Sequence, residues 1–209
     1  MLPSASMQPY PVQLEVSSPP RFERIQLLIR LMIAIGLGWL GVTFDWLWSV
    51  LFFALPLIAA GFISARGADF YLEKTTPRLW SALTWLFAFT AYMLFITDRV
   101  PLNDEHSVRA ELQTTGRPST GRSLARLVTS IPSALVLCLV CVVSALLCFV
   151  AFLSILFAGK VPTSIVEFQT GYLRWQARLV AYHASLVEEY PPFSFGDRAP
   201  KLPTAMVHS

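Results

Sequence analysis

The residues of this chain that could carry chemistry are few, and most lie in its second half. Cys138-x-x-Cys141 has the spacing of a redox or metal motif, but a tetrahedral metal site needs four nitrogen or sulfur ligands and no histidine lies nearby in sequence. Both residues, and Cys148 after them, lie inside one apolar run, where a thiol packs as a small hydrophobic group. The pattern predicts packing and no metal site, with reversible acylation or a disulfide as the alternative.

The segment from 165 to 186 holds the other candidates. Glu167, Arg174 and Arg178 fall on one polar side of a predicted helix, and the forked donors of arginine suit phosphate. We expect these three residues and Trp175 to bind lipid headgroups or a partner loop, with a salt-linked solvated face as the alternative. His183 is expected to lie at a membrane interface rather than to handle protons. The apolar stripe of the helix repeats at spacings of three and four: Ile165, Phe168, Tyr172, Trp175, Leu179, Tyr182 and Leu186.

Motifs for catalysis and for nucleic-acid binding are missing from the sequence. It contains no phosphate-binding glycine loop, zinc-protease helix, nucleophile elbow or paired intramembrane carboxylates. The net charge of +3 is small, and basic residues are scattered among acidic ones. We therefore expect no catalytic residue, no cofactor, no enzymatic activity and no nucleic-acid partner.

Composition indicates that the elements positioning these residues lie in a membrane. Hydrophobic residues make up 55% of the chain and charged residues 14%. Four apolar runs approach or exceed the roughly 20 residues of a spanning helix: Ile25–Phe44, Trp46–Ser64, Leu79–Thr97 and Ile131–Gly159. Asp45 is best placed at a turn, which predicts a helical hairpin from the first two runs.

Two of the apolar stretches leave alternatives open. Leu124–Gly159 has no turn signal except Ser130–Pro132, so it predicts either a tight hairpin or one long helix kinked near Pro132. Leu79–Thr97 either crosses the membrane or lies buried against the bundle. The charged segment from 165 to 186 is expected to lie in the membrane plane as an amphipathic helix.

An internal repeat divides the chain into two halves. Shifting the sequence by 96 positions brings Tyr10–Val16 onto His106–Leu112 without a gap. Alternating apolar residues predict a short strand at the start of each half. The residues of the first half that meet an identical residue are Val12, Glu15, Arg21, Leu28, Arg30, Leu31 and Ile35.

The repeat and the apolar runs together predict a fold class and its domains. We expect an all-α integral membrane protein of two pseudo-repeated halves, residues 8–102 and 104–196, followed by a flexible tail at 197–209. Each half is expected to be a helical hairpin plus an amphipathic or buried helix, opened by a short β-strand.

Basic residues predict the orientation of the chain in its membrane. Arg21 and Arg24 precede the first run, Arg66 follows the second, and Arg117 and Arg122 precede the last. Since cytoplasmic loops are enriched in Lys and Arg, both termini and the 99–126 linker are expected on the cytoplasmic side of a bacterial inner membrane.

The stretch "SILFAGKVPTSIVEFQTGYLRWQARLVAYHASLVEEYPPFSF" (Ser154–Phe195), with "RLVTSIPSALVL" (Arg126–Leu137) upstream, resembles a bacterial membrane family, domain of unknown function 4389. The first half resembles a diverged copy that keeps "YPVQLEV" but has "SARGADF" in place of the glycine-proline exit. The resemblance implies a helical membrane module, often duplicated, with no established reaction and no catalytic residues to transfer.

These expectations lead to one functional hypothesis and one alternative. The leading hypothesis is a non-catalytic membrane protein that serves as an accessory or assembly subunit of a larger complex, with membrane lipids and other membrane subunits as partners. The alternative is a lipid- or solute-handling transporter component, because pseudo-symmetric halves are common in transporters.

Overall fold

The computed structural model describes residues 10–41, 44–101 and 107–196. The predicted tail at 197–209 and residues 42–43 of the predicted turn lie outside these ranges. The chain is mainly helical, with one two-stranded sheet, as predicted. Its elements are β1 (Val12–Val16), α1 (Ile25–Trp39), α2 (Phe44–Arg66), α3 (Ala68–Phe70), a π-helical turn (Tyr71–Thr75), α4 (Thr76–Met93), β2 (Val108–Leu112), α5 (Thr120–Thr129), α6 (Ile131–Ala158) and α7 (Thr163–His183).

The two predicted strands exist, and they pair with each other. β1 and β2 are antiparallel, and Leu14 stands opposite Ala110, the residue that the 96-residue shift superposes on it. The amide of Ser17 donates to the carbonyl of Ser107 at 3.0 Å, just beyond the strands. Because bonded and non-bonded pairs alternate in an antiparallel ladder, Leu14 and Ala110 turn their carbonyls outward to the two edges.

Both outward carbonyls are satisfied by side chains of the long helices. Nε1 of Trp80 in α4 donates to the carbonyl of Ala110 at 3.0 Å, and Nε of Arg174 in α7 donates to that of Leu14 at 2.9 Å. A two-stranded ribbon alone is marginally stable, and its edges need partners. α4 and α7 therefore support the ribbon from its two sides.

α7 is the most buried helix of the fold. Every residue from Gln169 to His183 is buried except Arg174, which is half-buried. Of the two predicted forms, amphipathic or buried, the structure shows the buried one, and the expected solvated polar side is wrong. The position in the membrane plane stays a prediction. The polar side of α7 is covered because it packs against β1 and the C-terminal segment.

Within the described ranges, two helices are long and apolar enough to cross a membrane, residues Trp46–Arg66 of α2 and Ile131–Ala158 of α6. α6 is a single unbroken helix, so the tight hairpin predicted as one alternative is excluded, and the break falls at Ser130, near Pro132. α1 has only 15 residues, and α4 is not among the two candidate spans. The four predicted runs thus provide two candidate spans.

α7 runs antiparallel to α6. His183, at the end of α7, lies beside Ser130 directly before α6, with 2.5 Å between Nε2 and Oγ. Gln169, nearer the start of α7, accepts a hydrogen bond from Ser144 in the middle of α6 at 2.5 Å. The contacts therefore progress in opposite directions along the two helices.

Beyond α7 the chain continues past α5, again in the opposite direction. Ser185 donates to Ser123 at 2.8 Å, and further on the amide of Glu188 donates to Thr115 at 2.9 Å. After α7, residues further along the chain thus contact residues that come earlier around α5. It follows that α5 and α6 run end to end in one direction, with a break at Ser130.

α2 runs antiparallel to α5, and therefore to α6. Asp69, just after α2, pairs with Arg117 before α5 at 2.5 Å. At the other end of α5, the carbonyl of Phe52 in α2 lies 3.1 Å from Nδ1 of His183. α2 packs mainly on α5 of the other half, rather than on α1 as the predicted hairpin requires.

α1 begins where α6 ends. The amide of Phe22 donates to the carbonyl of Gly159 at 3.0 Å, and α1 packs on α6. The start of α1, after Arg21, therefore lies at the end of α6, whereas Arg117 lies at the end of the oppositely directed α2. The structure separates these two basic clusters, which the sequence prediction placed together, because each lies beside a helix of the other half.

The C-terminal residues 190–196 fold back across α7. Trp175 makes edge-on contacts with Phe193 and Phe195, at centroid distances of 5.5 and 5.8 Å. A Cβ added to Gly171 would lie 2.5 Å from Cβ of Phe195 and 3.3 Å from its Cα. Only glycine lets the segment approach α7 this closely.

We predict that Gly171→Ala lowers the thermal stability of the purified protein, although alanine favours a helix over glycine by about 1 kcal/mol. The added methyl group must displace Phe195 and the backbone around it. Gly61→Ala in α2 is the matched control, because a Cβ there meets no atom within 4 Å. It should leave the melting temperature unchanged or raise it, and equal effects of the two substitutions would contradict the packing.

Candidate functional site around the central helix

The four residues predicted to bind lipids or a partner do not form one exposed surface. Glu167 is exposed in the second turn of α7, and Arg174 is half-buried against β1. Trp175 and Arg178 are each only 3% exposed. Their binding role stays a prediction, and the structure gives three of the four residues internal contacts.

Arg178 bonds to the backbone of the C-terminal segment. Its Nη1 donates to the carbonyl of Ser194 and its Nη2 to that of Gly196, both at 3.1 Å. The guanidinium also lies 5.7 Å from the centre of the Tyr10 ring. Arginine suits this position because its planar fork binds two acceptors at once while its face contacts an aromatic ring. The bonds described for Arg174 and Arg178 thus end on backbone carbonyls, not on Glu167 as in the salt-linked alternative.

A second pair of buried arginines was not predicted to have a role. In the first half, Arg30 donates from Nε to the carbonyl of Tyr92 at 2.9 Å, and its Cζ lies 4.3 Å above that ring. In the second half, Arg126 donates to the carbonyl of Tyr182, and its Cζ lies 4.5 Å above that ring. Each arginine adds a second hydrogen bond to a carbonyl at the end of α4 or α7, which also accepts the amide of Phe95 or Ser185.

The helix ends that receive these arginines have the same backbone geometry. After α4, the amide of Ile96 donates to the carbonyl of Ala91; after α7, that of Leu186 donates to the carbonyl of Ala181, each at 3.0 Å. Phe95 and Ser185, one residue before each donor, have φ of 59° and 57°. The sequence signal for these two equivalent helix ends was an Ala-Tyr pair repeated 90 positions apart, at 91–92 and 181–182.

Asp98 completes the site of the first half. It pairs with Nη2 of Arg30 at 3.0 Å and accepts the amide of Glu23 at 2.6 Å. Glu188, in the corresponding position 90 residues later, pairs instead with Arg122, an exposed residue. A buried guanidinium costs several kcal/mol unless its donors are paired, so these partners stabilise Arg30 in its buried position.

His183 is buried between three elements. Its Nδ1 faces the carbonyl of Phe52 in α2, and its Nε2 faces the hydroxyl of Ser130. A neutral imidazole with its proton on Nδ1 donates to the Phe52 carbonyl. The Ser130 hydroxyl also lies 2.5 Å from the carbonyl of Arg126, so its single proton goes either to that carbonyl or to Nε2. Burial lowers the pKa of His183 from its usual 6.5 to about 4; the Phe52 bond opposes this effect, and the charge of Arg126 adds to it.

The three cysteines lie on α6, and none of them forms a disulfide. Cys148 accepts a hydrogen bond from Nε2 of Gln169 at 3.4 Å, and Cys138 is exposed. Within residues 10–41, 44–101 and 107–196, no three His, Cys, Asp or Glu side chains are grouped to hold a metal ion.

We predict that acid destabilises the protein through His183. Since its pKa is about 4 when folded and 6.5 when unfolded, the unfolded chain binds a proton first as the pH falls. The free energy of unfolding therefore keeps its full value with respect to His183 above pH 6.5. It falls between pH 6.5 and 4, by about 3 kcal/mol at most. Melting temperatures of the wild type and His183→Gln at pH 7.5 and pH 5 test it. The wild type should lose more stability than the variant, and equal losses would contradict a neutral buried imidazole.

Comparison with curated proteins and with solved structures gives no match. Residues 121–194 match a family described as Domain of unknown function (DUF4389). The matched range begins in α5 and ends in the segment that crosses α7, so it contains Arg126 and its tyrosine partner. The match confirms the family resemblance of the second half. It does not address whether the first half is a copy of the second. The C-terminal part of this chain, from residue 121 to residue 194, is thus similar to the DUF4389 family.

Proposed function

We propose that the chain is a non-catalytic integral membrane protein that serves as an accessory or assembly subunit of a larger membrane complex. One observation carries the membrane location: only 28% of the most apolar window of α2 is buried, and 17% of that of α6. A core helix of a soluble protein would bury most of such a window. Leucine, valine and phenylalanine side chains exposed along both helices require an apolar surrounding.

The lengths of the two helices fit a bilayer. The 21 residues of α2 from Trp46 to Arg66 extend about 32 Å and the 28 residues of α6 about 42 Å, against a hydrocarbon thickness of about 30 Å. Charged residues follow both spans, at Arg66 and Lys160. A bacterial inner membrane remains the proposed location, with the C-terminal segment on the cytoplasmic side.

Two copies of one unit, related by an inverted two-fold arrangement, are part of this proposal. Three observations support it: the strand pair centred on Leu14 and Ala110, the Arg30 and Arg126 bonds to tyrosine carbonyls, and the opposite directions of α2 and α6. A two-fold axis through the ribbon relates all of these pairs. It replaces the expectation, drawn from the basic residues, that the segments before α1 and before α5 lie on the same side of the membrane.

The accessory role is supported by α1. Its apolar residues beyond Arg30 are exposed except for Ile33 and Leu37, which are half-buried, and Trp39 is 91% exposed. At 15 residues α1 is too short to cross a bilayer alone. A helix of this kind is stabilised by lipid or by the helix of another subunit. The inverted halves favour the alternative, a lipid- or solute-handling transporter component.

Labelling of single cysteines tests the membrane arrangement, in a background where the three native cysteines are alanine. Ser119→Cys and Ala65→Cys should react from one side of the membrane, because α5 begins where α2 ends. Ser164→Cys, beyond α6, should react from the other side. Labelling of all three sites from one side would contradict a crossing by α6.

Purification in mild detergent tests the accessory role, with identification of proteins that remain bound. A stable larger partner is expected for the wild type, and its loss is expected in the double variant I35Q/W39Q. The matched control L139Q/L146Q changes two exposed residues of α6 and should retain the partner if the protein still inserts. A monodisperse protein with bound lipid and no partner would favour the transporter alternative instead.

A further inference from the structure

The buried arginine of the second half lacks the acidic partner that its counterpart in the first half has. Arg30 and Arg126 make the same contacts with a tyrosine carbonyl and a tyrosine ring. Arg30 also pairs with the carboxylate of Asp98 at 3.0 Å, whereas no ion pair among the described residues includes Arg126. Arg126 is only 5% exposed, and a buried guanidinium without a counter-ion is unfavourable. The second half therefore offers a place for an anion from outside the chain.

The acidic residue in the corresponding position of the second half is held by another arginine. Glu188, which follows Asp98 by 90 residues, pairs with Arg122. The 96-residue shift superposes Arg122 on Gln26, a neutral residue of the first half. The second half thus has one more arginine at this site than the first, and no further carboxylate to balance it among these positions.

A cavity of about 360 Å³ lies between α5, the end of α7 and the segment after it. This volume is within the range of about 300 to 1,000 Å³ that small-molecule sites occupy. The cavity is lined by Arg122, Ala125, Arg126, Thr129, Tyr182 and Glu188. Two arginines and one carboxylate give this wall a net charge of +1, which favours an anion.

Two groups of hydrogen-bond donors on this wall remain for a ligand. The Tyr182 carbonyl takes Nη1 of Arg126, but among the described residues Nε and Nη2 have no partner, and neither atom is fully enclosed. The hydroxyls of Thr129 and Tyr182 lie 3.0 Å apart, so the bond between them uses one of their two protons and leaves the other. Cζ of Arg126 lies 4.5 Å from the centre of the same Tyr182 ring. The guanidinium and the hydroxyl pair are therefore neighbours on the cavity wall.

We propose that this cavity binds a phosphate group, either in the headgroup of an anionic phospholipid or free in solution. The phosphate takes the place beside Arg126 that the carboxylate of Asp98 has beside Arg30. Its oxygens accept from a guanidinium fork and a hydroxyl together, and such charge-assisted bonds are among the strong ones. α6, a proposed span, begins two residues after Thr129, which places the cavity near the headgroups of the proposed membrane. The site goes beyond the accessory role, and only the lipid as source depends on the proposed membrane location.

Isothermal titration calorimetry of the full-length protein in a nonionic detergent measures this binding. Two probes distinguish the sources: dihexanoyl phosphatidylglycerol, a soluble anionic phospholipid, and inorganic phosphate. If the ligand is a headgroup, the lipid binds and inorganic phosphate does not compete with it. If the ligand is free phosphate, inorganic phosphate binds at least as tightly as the lipid. The zwitterionic dihexanoyl phosphatidylcholine has the same acyl chains without the net charge and should bind about fivefold more weakly than the anionic lipid.

Two pairs of variants locate the binding in the cavity. Ala125→Glu adds a carboxylate to the wall and should abolish binding, whereas Ala125→Gln, of the same size without the charge, should change the Kd less than twofold. Glu188→Gln removes the competing carboxylate and should tighten binding about fivefold, the effect of one charge. Glu189→Gln is its matched control, because it makes the same change of charge at a residue that does not line the cavity.

Three results would overturn the proposal. Failure of the wild type to bind either phosphate probe would mean that the cavity does not recognise the group. Binding that survives Ala125→Glu would place the phosphate elsewhere on the protein. Equal effects of Glu188→Gln and Glu189→Gln would exclude the charge of the cavity wall as the basis of recognition. The last comparison does not need a folded Ala125→Glu variant, because the Glu188 side chain is 37% exposed.

Discussion

The ribbon of β1 and β2 is the constraint on which the rest of the structure depends. It joins the two halves of the chain by backbone hydrogen bonds. Among the described residues, no other pair of segments from the two halves makes as many. Each outward carbonyl at its centre holds a long helix through a side chain, Trp80 from α4 and Arg174 from α7. Those two helices form the core, and α2, α5 and α6 pack around them. Without the ribbon, α7 would expose a polar side that the fold otherwise covers.

Buried arginines provide the second level of organisation. Arg30, Arg126 and Arg178 each donate to backbone carbonyls, at a helix end or in the C-terminal segment. Carbonyls in loops and at helix ends have fewer backbone donors around them than those inside a helix, and in apolar surroundings water does not supply the missing bonds. Long cationic side chains satisfy several such groups at once. This is why charged residues occur inside a fold whose outer helices are almost entirely apolar.

Local patterns in the sequence were enough to predict part of this fold. The alternating residues around Leu14 predicted the strands, and the apolar runs predicted α2 and α6 as candidate spans. The stripe from Ile165 to Leu186 predicted the helix that became α7, but not its burial, since the covering surface comes from β1 and from residues near Phe195. Contacts of this kind join residues far apart in the chain, and spacing along one helix does not reveal them. The exchange of partners between halves was missed for the same reason: Asp69 and Arg117, or Phe22 and Gly159, carry no local signal of their contact.

The proposed arrangement of two equivalent halves is tested most directly by the register of the ribbon. Opposite residues of a non-bonded antiparallel pair have Cα atoms about 4.5 Å apart, within reach of a disulfide. In a background without the native cysteines, the double variant L14C/A110C should form a disulfide within one chain on mild oxidation. The pair V16C/L112C, which this register separates by four residues or about 13 Å, should not form one. A disulfide in the second variant and none in the first would contradict a two-fold centre between Leu14 and Ala110, and with it the account of how the halves are joined.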